Sequence, residues 1–406
     1  MLGGCTQMRL HNLLCLLRIP GKQCLEDFVM LLQALFRTNL IAHYGAAVSS
    51  ASETERQTKD GLWNYNALDA REQQMYDVLC DAMASRDTKT AYLAFVPTQK
   101  EFSAAFDAVL YDHPLFCDLI PSECAVVAGD NAAYMTLSYL SDGEEHRRAL
   151  SDFADALTQD GLSQALSDAE FALLLHDNLT QHCRYSAEPV SAHATAYDAL
   201  TGDADSYGYA LLYTLVCREA GLDCALVNGP VSTRDTEGEH AWNVLTLDGV
   251  TGYTDVMWND AAATIAMDGV EEDTLPFHGY YFLSFAEMSA DHTPADNTGF
   301  PQSHVTQNYY EQQGCYIADE SALLPTLTEL VTAAQSHTVG CVEFRLEPTL
   351  GITDYALEEA LTAAISAVNE TADTGTPLLR QTNRIYHASH DGTSMTVQLF
   401  YEDINE

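Results

Sequence analysis

The run from Ser206 to Val227 constrains this chain most, because it reads as one apolar helix with a single stop and a strand directly behind it. Tyr209, Ala210, Tyr213, Val216 and Cys217 recur at helical period, Gly221 ends the pattern, and Asp223 to Val227 continues as an apolar run of strand length. Asp205 or Ser206 can cap the helix, since either side chain can accept a backbone N–H from its first turn. Glu239 to Gly249 and Thr251 to Asp260 read as two further strands joined by a tight Asp248-Gly249 turn, a dipeptide suited to a two-residue hairpin. A helix packed on an antiparallel sheet is the expected layout, so the fold class here is α+β.

This frame carries three side chains whose chemistry fits together. A group at a helix N-terminus feels the positive end of the helix dipole, an imidazole can take and return a proton, and a carboxylate can orient that imidazole. Ser206 opens the helix, His240 lies in His240-Ala241-Trp242-Asn243, and Asp255 lies in Thr254-Asp255-Val256-Met257-Trp258-Asn259. With Ser206-Tyr207-Gly208-Tyr209-Ala210, these runs resemble the three motifs of transglutaminase-like domains of the papain-like class, in the same order. The Gly221 to Cys224 step and the lead-in His176-Asp177-Asn178-Leu179, with Tyr185, are similar to the same family.

The resemblance covers about residues 165 to 285. It implies His240 as the base, Asp255 as its orienting partner, and Ser206 at the position where the family keeps a nucleophilic cysteine. Backbone N–H groups at that helix end would receive an oxyanion. Cys217 lies three turns deeper in the helix and Cys224 on the following strand, so neither takes the nucleophile's place. A site built around a preformed thiolate loses that species when serine replaces cysteine, because a hydroxyl gives up its proton only during attack. Two readings stay open: an impaired domain that binds a peptide, protein or cell-wall ligand in the former cleft, and an active serine hydrolase or acyl-transferase using Ser206, His240 and Asp255. Tyr207, Trp242 and Trp258 are the candidate ligand-contacting aromatics, with a core role as the alternative for both tryptophans. An exported or cell-surface protein of bacterial type is the expectation, resting on the candidate export segment at the start of the chain.

The flanks are less informative. Asp69 to Met83, Thr98 to Leu110, Glu144 to Leu157 and Ser167 to His182 read as helices, three of them opened by a capping-box spacing at Asp69 and Glu72, Thr98 and Glu101, and Ser167 and Glu170. Tyr92 to Val96 and Tyr134 to Leu140 read as strands. Near the end, Cys341 to Leu346, Tyr355 to Val368 and Ser394 to Tyr401 alternate as strand, helix and strand, a βαβ-like tail. The expected divisions are a leader or linker over 1–59, an N-terminal α+β module over 60–165, the transglutaminase-like domain over 166–287, a connector over 288–340 and the tail over 341–406. Arg9, Arg18, Lys22 and Arg37, two short apolar runs and the box Leu2-Gly3-Gly4-Cys5 suggest an export or lipoprotein segment at the start.

Composition excludes some partners. With 18 Lys and Arg against 59 Asp and Glu, the net charge of -41 repels phosphate backbones, so nucleic acid is not an expected partner. Eleven cysteines without a CxxC pair give no zinc-ribbon or redox motif. His387-x-x-His390 lacks a third ligand and Asp203-x-Asp205 lacks a full calcium loop, so neither a metal nor another cofactor is expected.

Overall fold

The computed structural model describes residues 57–164, 166–186, 194–202, 204–232, 237–260, 277–295, 300, 305–336, 341–372, 379–387 and 395–403. The expected leader before residue 57, Asp203 and His390 lie outside them. The chain opens with α1 (Trp63–Ala67), α2 (Ala70–Ala84) and α3 (Gln99–Asp112), followed by the antiparallel hairpin of β1 (Ala125–Ala128) and β2 (Ala133–Thr136). Residues 70–106 and 119–140 form one compact unit, and the remaining described residues form a second.

In the first unit, Met75, Leu79 and Met83 bury one face of α2 at the expected helical spacing. Thr98 and Glu101 close a reciprocal capping box at the start of α3, at 2.6 and 3.2 Å. The strand expected over Tyr92 to Val96 reduces to one bridging residue: only Leu93 exchanges backbone bonds with Ala133, and β2 ends at Thr136 instead of continuing to Leu140.

The second unit runs through α4 (Gly143–Ser163), α5 (Asp168–His182), α6 (Ala196–Thr201), α7 (Ser206–Glu219), β3 (Asp223–Ser232), β4 (Glu237–Leu247), β5 (Val250–Thr254) and α8 (Val256–Asn259). It continues through α9 (Phe285–Met288), α10 (Tyr309–Gln312), β6 (Tyr316–Ile317), α11 (Glu320–Ser336), β7 (Cys341–Leu346), α12 (Asp354–Thr371), β8 (Leu379–His387) and β9 (Met395–Asp403). Residues 60–69, 107–118 and 141–164, which the sequence groups with the N-terminal module, belong to this second unit. Polar contacts account for part of that placement. Buried Asp112 accepts the Tyr65 N–H at 2.9 Å and pairs with Arg218 of α7 at 3.4 Å, and Trp63 donates its indole N–H to Asp223 at 2.6 Å.

Helix α7 is the centre of this unit. The sequence shows one apolar stripe, but residues 208 to 217 are all buried, as an apolar helix enclosed by a core on most sides should be. Its side chains pack with Leu150 and Ala154 of α4, Leu175 and Leu179 of α5, Ala196 and Ala199 of α6, and Leu226 and Leu245 of the sheet. A Cβ on Gly208 would lie 2.7 Å from that of Ala204 and 3.1 Å from the Thr195 carbonyl oxygen, so glycine is what admits the close approach of the preceding loop.

The sheet order is β3-β4-β5, antiparallel, with Gly229 opposite His240 and Asn243 opposite Thr254. The Asp248-Gly249 turn forms as the sequence predicts, with φ of 51° and 79°, the left-handed pair that a tight hairpin needs. The strand expected over Thr251 to Asp260 is corrected. It stops at Thr254, because the Asp255 carboxylate accepts the Trp258 N–H at 3.0 Å and starts α8.

In the tail, β6, α11 and β7 make the parallel strand-helix-strand unit, and the second sheet has the order β6-β7-β9-β8. The βαβ reading of 341–406 is therefore corrected: β7 and β9 pair antiparallel, because β8 intervenes and turns the chain back. Its sequence, Leu-Arg-Gln-Thr-Asn-Arg-Ile-Tyr-His, has too little apolar alternation to announce a strand. No helix among the described residues is long and apolar enough to cross a membrane.

Candidate functional site

Helix α7 begins at Ser206, and the cap is Asp205, not Ser206. The Asp205 carboxylate accepts the N–H groups of Tyr207 and Gly208 at 3.0 and 3.2 Å. Burial pushes the Asp205 carboxyl up, opposed by those two N–H donors and by His240. Ser206, freed from capping, is buried and accepts the Ala241 N–H of β4 at 3.2 Å through its hydroxyl oxygen. That bond brings the start of α7 against the strand that carries His240.

His240 donates its Nε2–H to Asp255 Oδ2 at 2.6 Å. The two meet because β4 and β5 are neighbours and Asp255 follows directly on the end of β5. Burial alone would raise the Asp255 carboxyl, but the His240 and His292 rings beside it hold it well below the usual carboxylate range. A carboxylate only accepts, so the proton on that edge of His240 is fixed on Nε2, and in the neutral ring Nδ1 is an acceptor. Among the described residues no hydrogen bond joins Ser206 Oγ to the His240 ring.

Of the three aromatics read from the sequence, Tyr207 and Trp258 are half-buried and Trp242 is fully enclosed. Trp242 packs with Ala225, Val227, Val244, Tyr253 and Leu283, so the core role is the one its surroundings give it. The Trp258 ring stands 5.1 Å from that of His240 and forms one wall of its setting.

His292 gave no signal in the sequence, because it lies in a Pro-bearing stretch with no periodicity. The backbone of 291–293 pairs with the outer edge of β3, through Ser232 N–H to the Asp291 carbonyl and Thr293 N–H to the Pro230 carbonyl, both 2.9 Å. Leu283 pairs with Tyr253 on the opposite edge of the same sheet. Between those edges the chain delivers the His292 ring to Asp255 Oδ2, at 3.1 Å. The site therefore extends past the boundary expected at residue 287.

A second polar cluster gathers around Asp177. His176 Nδ1 and His278 Nε2 both donate to Asp177 Oδ1, at 2.8 and 3.1 Å, and His278 Nδ1 donates to Glu343 Oε2 at 2.7 Å. Asn259 accepts the Tyr280 N–H with its oxygen at 2.8 Å, so its amide nitrogen donates to His176 Nε2 at 3.0 Å. His176 is thus the neutral Nδ1–H tautomer, and burial lowers its pKa accordingly. His278 is the opposite case: burial alone would lower it, but Glu343 and Asp177 raise it to about 9. With its Nδ1 edge committed to a proton, His176 links into a hydrogen-bond chain and does not offer that edge to a cation.

Comparison with known proteins adds a family match. The profile of the transglutaminase-like superfamily core matches residues 155–257, which contain α7, Ser206, His240 and Asp255. No curated protein matches the chain. A crystal structure of a candidate protease from Parabacteroides distasonis ATCC 8503 is similar at 10% sequence identity and a TM-score of 0.26, over 68% of this chain. This chain spans 55% of the length of that protein. On the family match over its helix-and-sheet core, residues 155–257 of this chain are a transglutaminase-like superfamily domain.

Proposed function

We propose that this domain keeps the family's His-Asp pair without its acyl-transfer chemistry, and uses the pair to bind an amide-linked chain of peptide, protein or cell-wall type. Ser206 takes the place of the family's cysteine. The observation that carries the reading is the Asp205 cap. Its carboxylate engages two of the N–H groups that a helix end would offer an oxyanion, and sets a negative charge one residue before Ser206. Both effects oppose negative charge developing at Ser206 Oγ. That oxygen already accepts from Ala241, whereas a serine nucleophile works through a hydrogen bond to its base.

The test is turnover of a panel of p-nitrophenyl esters and peptide p-nitroanilides by the full chain and by Ser206→Ala. Equal rates at the level of buffer are expected. A rate that vanishes in Ser206→Ala would establish the second reading, a serine hydrolase running through Ser206, His240 and Asp255, which the intact 2.6 Å His240–Asp255 pair favours.

A further inference from the structure

His292 is fully buried, with aromatic rings on several sides. Trp258, Trp242 and Tyr280 lie 4.5, 4.8 and 5.6 Å from it by ring centroid. Both of its nitrogens face carboxylate oxygens, Nδ1 at 2.5 Å from Asp291 Oδ1 and Nε2 at 3.1 Å from Asp255 Oδ2. Ionised carboxylates offer only acceptors, so both nitrogens carry protons and the ring is an imidazolium. The remaining oxygens are also engaged: Asp291 Oδ2 accepts the Tyr280 hydroxyl at 2.6 Å and Asp255 Oδ1 accepts the Trp258 N–H at 3.0 Å. Burial alone would lower the His292 pKa, but Asp255 and Asp291 raise it.

Asp255 Oδ2 is therefore shared by two histidines. An aspartate facing one imidazole raises its basicity, because its whole charge favours the protonated ring. A fixed cation on the same oxygen offsets much of that effect. The His240 and His292 ring centroids are 5.5 Å apart, close enough for like charges to oppose each other in a buried setting. Asp205 faces His240 from the start of α7, and Asp255, Asp291 and Tyr280 surround His292, so the cluster holds three carboxylates.

We propose that His292 is a positioning residue of this site, a standing imidazolium that keeps Asp255 ionised and so fixes the His240 Nε2–H on Asp255 Oδ2, leaving Nδ1 of the neutral ring as the acceptor. Such a His240 recognises N–H and O–H donors, which fits the amide N–H of a peptide-type chain and disfavours carboxylate ends. The inference rests on the reading of His240 and Asp255 as the binding pair.

The experiment is an NMR pH titration of the full chain with ring-labelled histidine and carboxyl-labelled aspartate, in the wild type and in His292→Gln, which keeps a side-chain N–H donor and removes the charge. In the wild type the His292 ring should stay doubly protonated above the pH at which an ordinary histidine loses its proton. In His292→Gln the Asp255 carboxyl, which His292 helps hold low, should titrate at a higher pH by about one unit, a change that a merely structural side chain would not produce. A His292 ring that is neutral at pH 7, or an unmoved Asp255 in a folded variant, would overturn the proposal. Should His292→Gln fail to fold, the wild-type titration and Asp291→Asn, which should lower the His292 pKa, decide it. Turnover lost in Ser206→Ala, with the Asp255 shift still seen in His292→Gln, would sink the binding-domain reading and leave the role of His292 intact.

Discussion

At the first turn of α7 two electrostatic effects oppose each other. The helix dipole favours negative charge on the side chain at position 206, while the Asp205 carboxylate one residue earlier disfavours it. Replacing Ser206 by Cys turns this balance into a rate. The thiol should alkylate faster at pH 6 than the buried Cys117, Cys124 and Cys315, whose thiols burial pushes to about 12, 11 and 12. Adding Asp205→Asn, which keeps an oxygen to cap the helix, should speed it about tenfold, and adding His240→Ala should slow it, both read from iodoacetamide kinetics. No change from either second substitution would mean that neither group acts on position 206. Asp255→Ala should cost about 3–5 kcal/mol in urea unfolding, because it leaves the charged His292 ring half unpaired and uncaps α8.

The elements are held in register by small features that are easy to break. Gly208→Ala places a methyl 2.7 Å from the Ala204 Cβ and 3.1 Å from the Thr195 carbonyl oxygen, short side chain and backbone that have little freedom to yield. The overpacking should cost about 1–3 kcal/mol in thermal or chemical unfolding, although alanine is the better helix former. A gain in stability instead would show that the loop before α7 yields freely. The extension of the sheet by 291–293 and by Leu283 works differently. It closes both exposed edges of β3-β4-β5 with irregular backbone.

Over the second unit as a whole, His278 joins the lead-in helix to the tail sheet. It donates to Asp177 of α5 and to Glu343 of β7, its ring stacks on Tyr309 at 4.0 Å, and the Tyr310 hydroxyl donates to the same Glu343 at 2.5 Å. Its folded pKa of about 9 lies above the ordinary histidine value of about 6.5. The stabilisation is therefore complete below about pH 6.5 and is lost as pH rises through about 9. The loss should be on the order of 3 kcal/mol across that window, measured by urea unfolding at fixed pH steps. Asp177 runs the other way. Its carboxyl is held low by His176 and His278 against the effect of burial, so its contribution is present above the ordinary aspartate range and fades in acid. Glu343→Gln should flatten the alkaline limb, and an unaltered limb would assign the pH dependence elsewhere.

The sequence by itself determined the helix of α7, its stop at Gly221 and the Asp248-Gly249 turn, because each rests on local periodicity or turn chemistry, while the family resemblance of its motifs implied the His240–Asp255 pairing. It also showed the Ser167-Glu170 capping box, which forms as written. It left the choice of cap between Asp205 and Ser206 open, since both side chains have the needed acceptor and only the folded turn selects one. It gave no sign of His292, His278 or Glu343 as partners. Those contacts span separations of 37 residues to Asp255, 101 to Asp177 and 65 to Glu343, and no local pattern encodes which distant carboxylate a histidine will meet. Tertiary structure decided them, by pairing 291–293 with β3 and by placing β7 behind the core, where an unpaired buried charge is too costly to persist.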